Sequence, residues 1–357
     1  MKIIYSPFVN KTNKYVDIIK RVLQANDIEV VNLKENICPS KLKDISFADF
    51  NWLEAKVNQR SWVSCLISYI KSILLLYWLK VNNVKIIYTV HNKISHDCIH
   101  KKINEQFIAT VLRMSDRIVV LCEESKKMLR EMGDNKNIVD KIMLIQLPNY
   151  IGECFDYYES LNNNYGTFSV SFIGAVKHYK NIELLIEVAN KCKELDMEFN
   201  IYGKPESESY ADELRKKVSN SKIRFSFSFL EDKELYRVIK ESDLLVFPYD
   251  KVSSLNSASI MLSFSLGRNA VCPCIGTIKE FPNDIIYSYD YNNELEHKYA
   301  LYKLILKAYD EYKNDFNFFK EKSESLYKFV KENNSEEVIG QKYKELFSSS
   351  QLTKRGF

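Results

Sequence analysis

The chain has 357 residues, 46% of them hydrophobic and 27% charged, with 9 Gly and 7 Pro. That length suggests two domains of about 150 residues each, and the composition excludes disordered, collagenous and disulfide-stapled classes. The formal charge of +4 is too small to single out nucleic acid, but it is unevenly placed: residues 1–150 hold 23 Lys+Arg against 15 Asp+Glu, net +8, and the remainder carries −4, a front half suited to an anionic membrane or a phosphorylated ligand.

Met1 to Val9 read as a strand entering a turn, without the basic start, apolar core and cleavage site of a signal peptide, so a cytoplasmic protein is expected. Lys2 to Tyr5 is the first strand, Tyr15 to Asn26 a helix, and Glu29 to Leu33 the second strand, a βαβ opening. A strand is expected near Ala48 to Trp52. Trp62 to Lys80 is long and apolar enough to suggest a membrane span, but Lys71 at its centre costs about 3 kcal/mol in a bilayer while each Leu or Ile returns only about 0.5. Ser64, Ser68, Lys71 and Ser72 recur at helical spacing, so the reading is a domain helix with one polar stripe, partly exposed. Val84 to Val90 is a β-branched strand ending at His91-Asn92. Helix Ile103 to Met114, strand Arg117 to Cys122, helix Glu124 to Met132 and strand Ile142 to Gln146 follow.

Periodicity is lost between Gly152 and Thr167, around Asn162-Asn163-Asn164, which places a linker there. The alternation then restarts: strand Phe168 to Ile173, helix Ile182 to Leu195, strand Glu198 to Tyr202, helix Glu208 to Val218, strand Ile223 to Phe227, helix Lys233 to Glu241, strand Leu244 to Phe247, helix Ser257 to Leu266 and strand Ala270 to Pro273. From Leu295 the chain reads as helical. The expected organisation is an N-terminal Rossmann-like domain over 1–154, a linker over 155–167, a second such domain over 168–325 and a helical tail over 326–357. The class is α/β, two doubly wound domains whose ligands bind beyond the carboxyl ends of the strands, in a cleft. Cys38, Cys65, Cys98, Cys122, Cys154, Cys192, Cys272 and Cys274 form no C-x-x-C pair, so reduced thiols are expected. Neither half carries G-x-G-x-x-G after its first strand or G-x-x-x-x-G-K-[ST].

The stretch Phe172-Ile173-Gly174-Ala175-Val176-Lys177-His178-Tyr179-Lys180-Asn181 resembles the G-R-x-x-x-x-K-G stretch of nucleotide-sugar glycosyltransferases with the GT-B fold, particularly the large family four. The resemblance implies that Lys180 binds the donor diphosphate. Physically, a strand-to-helix junction offers free N–H groups, and an ammonium about 4 Å away contributes roughly 4 kcal/mol per phosphate charge at an effective dielectric of ~20. Five further stretches keep the family's order. Phe199 to Gly203 resembles its strand-plus-glycine and Phe229 to Leu235 its donor-domain loop. Ser242 to Tyr249 resembles A-D-x-x-x-x-P-S/Y, and Gly267 to Val271 with Gly276 to Glu280 resembles G-x-P-V-I and G-G-x-x-E. Ala175 stands where the family has arginine, and Ser254 and Leu262 where it has an E-x7-E pair. Donor binding is therefore expected to use Gly174, Lys180, Gly203, Tyr249, Ser254, Asn256, Ser257 and Glu280. Serines opening a helix supply hydroxyls and N–H groups to a phosphate, or else cap the helix.

In the front domain Thr89-Val90-His91-Asn92 with His96-Asp97 resembles the T-V-H-N segment of polysaccharide-assembly glycosyltransferases. This implies catalytic roles for His91, Asp97 and Glu54, and an acceptor side formed by Trp52, Asn92 and His96. Asp97 or Glu54 would be the base of an inverting enzyme, whereas a retaining enzyme would use the donor phosphate near His91. The function implied is transfer of a sugar from a nucleotide diphosphate sugar to a glycan, lipid-linked, in surface polysaccharide synthesis, with no cofactor, no metal and no nucleic-acid partner. Peripheral contact with the inner face of the plasma membrane through Lys93, Lys101, Lys102 and the Trp62 to Lys80 helix goes with it. The missing arginine and glutamates leave a catalytically inactive GT-B-like binding or scaffold protein as the alternative.

Overall fold

The structure, a computed structural model, describes residues 1–10, 13–92, 99–131, 136–153, 160–161 and 166–348. The chain forms two compact units, one of Met1–Pro148 with Asn334–Phe357 and one of Asn149–Asn333.

Unit 1 runs β1 (Lys2–Ser6), α1 (Tyr15–Gln24), β2 (Glu29–Asn32), a short α2 (Pro39–Leu42), β3 (Phe47–Asn51), α3 (Trp62–Val81), β4 (Lys85–Val90), α4 (Lys101–Met114), β5 (Arg117–Val120), α5 (Glu123–Glu131), α6 (Lys136–Val139) and β6 (Ile142–Leu144). All six strands are parallel, in the order β2-β1-β3-β4-β5-β6. The strands read as continuous apolar runs because helices cover both faces of a parallel sheet, and Ile86, Ile87, Tyr88 and Val90 are all buried.

Unit 2 runs β7 (Phe168–Ile173), α7 (Ile182–Lys191), β8 (Met197–Tyr202), α8 (Glu208–Lys216), β9 (Ile223–Ser226), α9 (Asp232–Glu241), β10 (Leu244–Val246), α10 (Ala258–Ser265), β11 (Asn269–Pro273), β12 (Tyr287–Tyr289), α11 (Glu294–Asn314) and α12 (Phe316–Asn333). Its sheet is again parallel, ordered β9-β8-β7-β10-β11-β12. Successive strands step outward from β7 to β9, then restart on the other side at β10. The gap between the carboxyl ends of β7 and β10 is therefore a topological switch point, where such sheets bind ligands.

The helical tail divides. Through Asn333 it belongs to unit 2, and the last helix, α13 (Glu336–Ser348), lies in unit 1. It packs on α1, where Arg21 Nε donates to Glu336 at 3.1 Å, while Asn334 Nδ2 donates to the Leu147 carbonyl at 2.8 Å.

α3 departs from the sequence reading. Ser72, in the expected polar stripe, is buried beside Cys65, Leu76 and Leu79, whereas Trp62, Leu66, Ile70, Leu74 and Tyr77 face solvent. A helix apolar on nearly every face gives periodicity nothing by which to choose its inner side.

Candidate functional site

The carboxyl ends of the unit 2 strands carry the residues expected to meet the donor. Gly174 follows β7 with φ +134° and Gly203 follows β8 with φ +138°, backbone that only glycine adopts readily. The two loops touch: a Cβ on Gly203 would lie 1.8 Å from the Gly174 carbonyl oxygen. Past that contact the loops pair once more, Val176 N donating to the Lys204 carbonyl at 3.0 Å and Glu206 N to the Val176 carbonyl at 3.0 Å.

A short 3-10 turn, His178–Lys180, then leads into α7 through Asn181, whose φ is +52°. The His178 ring lies 3.2 Å from Glu183 and 3.1 Å from Glu206, fixing the turn to the loop after β8. Two bonds span the switch point, Asn181 Nδ2 donating to the Pro248 carbonyl at 2.9 Å and Asp250 N to the Tyr179 carbonyl at 3.1 Å. This brings Lys180 Nζ to 3.3 Å from the centre of the buried Tyr249 ring and 4.9 Å from that of Tyr179. The ring faces attract the ammonium, but burial works against its charge, and with the Lys177 charge nearby the amine is pushed down to about 7. Tyr249, read from sequence as a donor-binding residue, is the platform under the lysine; it is almost wholly buried, and burial raises its phenol.

The loop from β10 to α10 carries the serines. Ser254 is buried, its N–H bonded to the Asp250 carbonyl at 3.1 Å. Asn256 Oδ1 accepts from Thr277 Oγ1 at 2.5 Å, joining this loop to the 3-10 turn after β11 that ends at the half-buried Glu280. Ser257 caps α10, its Oγ accepting from Ile260 N at 3.3 Å. Its hydroxyl therefore plays the capping role. Ala175, in the family's arginine position, is exposed, and Leu262 is buried in α10.

In unit 1 the strand order switches between β1 and β3. Trp52 directly follows β3 with φ +51°, a backbone position where a bulky residue is an outlier. Its ring stacks on His91, just past β4, at 3.9 Å and 20°, while Tyr15 meets the imidazole edge-on at 5.1 Å. His91 Nε2 lies 2.8 Å from Asn51 Oδ1. As the amide oxygen accepts only, Nε2 carries the proton. Burial drives the His91 pKa down to about 3, so the ring is neutral at physiological pH and serves as a hydrogen-bonding group rather than a cation.

Glu54, expected as a base, lies within unit 1. It is 6% exposed, accepts from Tyr88 Oη at 2.7 Å, and its carbonyl accepts from Asn104 Nδ2 at 3.2 Å. Burial raises its pKa, and it serves the packing of the unit. Asn92 is half-buried beside His91. Asp97 and His96, together with Lys93, Cys98 and Cys154, lie outside the described residues.

One carboxyl was given no role from sequence. Asp49, fully buried in β3, accepts from Thr89 Oγ1 at 3.1 Å and from Asn51 Nδ2 at 3.4 Å, while its Oδ2 finds no partner. Burial lifts its pKa to about 7. Tyr5 and the sequence-distant Tyr343 of α13 are close enough for its charge to act on both. An acid inside a strand that is otherwise buried throughout was the signal available.

Residues 157–254 match the family model of glycosyl transferases group 1; Gly174, Lys180, Gly203, Tyr249 and Ser254 fall within the match, Asn256, Ser257 and Glu280 beyond it. No curated protein matches by sequence. Among solved structures, HepE of Anabaena with UDP and glucose is similar at a TM-score of 0.71 and 11% identity, over 98% of this chain and 100% of that one. Sucrose-phosphate synthase of Thermosynechococcus elongatus is similar at 0.71 and 11%, over 99% of each chain, and a glycosyltransferase of Rickettsia africae at 0.65 and 16%, over 99% of each. The chain therefore has the GT-B fold of two Rossmann-like units, and its matched segment is similar to that of the group 1 glycosyl transferases.

Proposed function

We propose that the protein transfers a sugar from a nucleotide diphosphate sugar to a glycan acceptor, lipid-linked, in the assembly of a surface polysaccharide. The observation that carries this reading is Lys180, held over Tyr249 at the β7/β10 switch point, where the glycine turns of Gly174 and Gly203 also lie. The leaving diphosphate is an anion that develops charge as the glycosidic bond breaks. A preorganised lysine and free N–H groups stabilise that charge without reorganising during the reaction. HepE was solved with UDP and glucose, which supports a uridine diphosphate donor here.

The acceptor side of the reaction is assigned to Trp52, His91 and Asn92. A neutral His91, fixed by Asn51 and stacked on Trp52, orients a sugar hydroxyl and takes no net proton at neutral pH. Asp97 remains the proposed base for an inverting route, and the donor phosphate for a retaining one; NMR of the product anomer separates them.

A panel of UDP-, GDP- and CMP-linked sugars tests the proposal by thermal shift. A ligand at a hundred times its dissociation constant stabilises by about 2.7 kcal/mol. A shift with one nucleotide class, absent in Lys180→Gln, supports the reading. No shift with any donor transfers support to a non-catalytic scaffold, the reading favoured by Ala175 and Leu262 in place of the family's charged residues. Transfer that persists in EDTA is expected if Lys180 and the N–H groups carry the diphosphate charge.

A further inference from the structure

α3 presents an unusual outer surface. At about 100° per residue, its exposed apolar side chains, from Trp62 through Leu66, Tyr77, Ile70 and Leu74 to Trp78, fill an unbroken arc of about 160°. Trp62 is 60% exposed, Leu74 60% and Tyr77 63%. A surface helix of a globular protein shows the reverse arrangement, with its polar face outward. The opposite side is fastened into unit 1: Cys65, Leu76 and Leu79 are fully buried in the hydrophobic core. Its length and apolar composition suffice to cross a membrane, but crossing would tear these residues from the core, so the helix is held lengthwise on the surface.

The stretch of chain that contains it carries charge of one sign. From Ala55 to His96 the chain has no Asp or Glu and carries Lys56, Arg60, Lys71, Lys80, Lys85 and Lys93. Lys71 stands at one edge of the apolar arc, where a long basic side chain reaches from an apolar layer to the headgroups above it; Lys80, at the other edge, pairs with Asp116 at 3.4 Å. Aromatic rings close the helix at both ends, Trp62 at the first position and Tyr77 with Trp78 at the last turn, and such amphipathic rings favour the membrane–water boundary.

We infer that unit 1 docks on an anionic bilayer surface, with α3 lying in the plane of the interface and its outward arc entering the headgroup layer. A protein partner would find no acid on α3 to pair with and would have to bring matching acids of its own, whereas an anionic lipid surface supplies negative charge everywhere along the helix. The inference rests on α3 and the charge around it, and stands whether or not the sugar transfer proposed above is found.

Vesicle co-sedimentation of the full chain tests it, with phosphatidylcholine alone and with equal parts of phosphatidylcholine and phosphatidylglycerol, at low and high salt. Binding to the anionic vesicles is expected, weakened by salt. Leu66→Gln/Ile70→Gln/Leu74→Gln changes only exposed positions, so its circular dichroism and melting temperature stay native while partitioning falls at least about tenfold. Arg60→Gln/Lys71→Gln lowers it by about fivefold per charge and flattens the salt dependence. Trp62 and Trp78 are two of only three tryptophans, so bromine-labelled lipids should quench emission most strongly with shallow labels, and less so in Trp62→Phe/Trp78→Phe. Equal recovery with both vesicle types, unchanged recovery of the triple variant, or a dimer that the triple variant dissolves without any vesicle binding would each overturn the inference.

Discussion

Donor binding to unit 2 is expected to take up a proton. In the free protein, burial first and the Lys177 charge second bring Lys180 from 10.5 down to about 7. About half of the molecules then carry the charge at pH 7, and about one in ten at pH 8. A diphosphate beside Nζ favours the ammonium and raises its pKa. Binding at pH 7 should therefore absorb about half a proton and at pH 8 about nine-tenths, while affinity falls about tenfold per pH unit above pH 7 and is flat below it as far as this lysine is concerned. A nucleotide sugar is the ligand of choice because its diphosphate has no titrating oxygen in this window. Calorimetry in buffers of different ionisation enthalpy reads the uptake directly. Lys180→Gln should bind at least tenfold more weakly at pH 6 and lose both the slope and the uptake. The same substitution has a signature without ligand. The unfolded chain keeps this proton up to about 10.5 and the folded one releases it near 7, so native stability rises with pH across that window and the variant flattens the rise. An affinity independent of pH between 7 and 9 in the native protein, or an equal slope in the variant, would refute the assignment.

Three other substitutions probe the two sites. Gly203→Ala forces a Cβ against the Gly174 carbonyl oxygen at 1.8 Å; a loss of about 2 kcal/mol or more in urea unfolding and loss of the donor-induced thermal shift are expected. Asp49→Asn removes a carboxyl whose pKa rises from 3.8 to about 7 on folding. Native stability attributable to Asp49 is full below pH 3.8 and lost as pH rises to 7, so the variant should gain stability relative to native across that range, by up to a few kcal/mol at pH 7, and denaturation at pH 4 and pH 7 measures it. His91→Ala should slow transfer without introducing or removing an inflection between pH 5 and 8, because the imidazole titrates near 3; a lost inflection in the pH–rate profile would show that His91 titrates during turnover.

The alternation of strands and helices was legible because both sheets are parallel and covered on both faces, so β4 and β7 appear as apolar runs bounded by polar turns. β12 was not legible: Tyr287-Ser288-Tyr289 is three residues with one polar side chain, and it becomes a strand only because Cys272 and its neighbours in β11 offer an edge. The short α2, opened by Pro39, lacks a period to read. The site divided in the same way. Gly174, Lys180 and Gly203 sit at fixed offsets from strand ends, which sequence records, whereas Tyr249 as a platform, the Ser257 cap and the burial of Glu54 depend on what packs beside them. Asp49 shows the limit most plainly. One of the groups its charge reaches, Tyr343, comes from a helix at the far end of the chain that belongs to the first unit, and no local pattern announces that return.

The residues missing from the donor side and the state of Lys180 are two views of one electrostatic arrangement. An opposite charge close to a lysine holds its pKa up, and a like charge or burial drives it down. Both influences on Lys180 are of the second kind, burial and Lys177, and no carboxylate offsets them. Ser254 and Leu262 occupy the positions where a glutamate pair would stand, and both are buried, so an acid at either would have had to be desolvated as well. With hydroxyl and apolar groups there instead, only the ring faces of Tyr179 and Tyr249 favour the ammonium of the unliganded lysine, and the negative charge it lacks must come from the ligand. The lysine is then about half charged at pH 7 when the site is empty and fully charged when a diphosphate is bound, so its full attraction is reserved for an anion that comes close to Nζ. A carboxylated sugar lacking a diphosphate, or inorganic sulfate at the loop surface, reaches less of that charge. Discrimination between donor and other anions should therefore weaken as pH rises from 7 to 9, because the donor loses affinity about tenfold per unit while anions that reach less of the charge lose less.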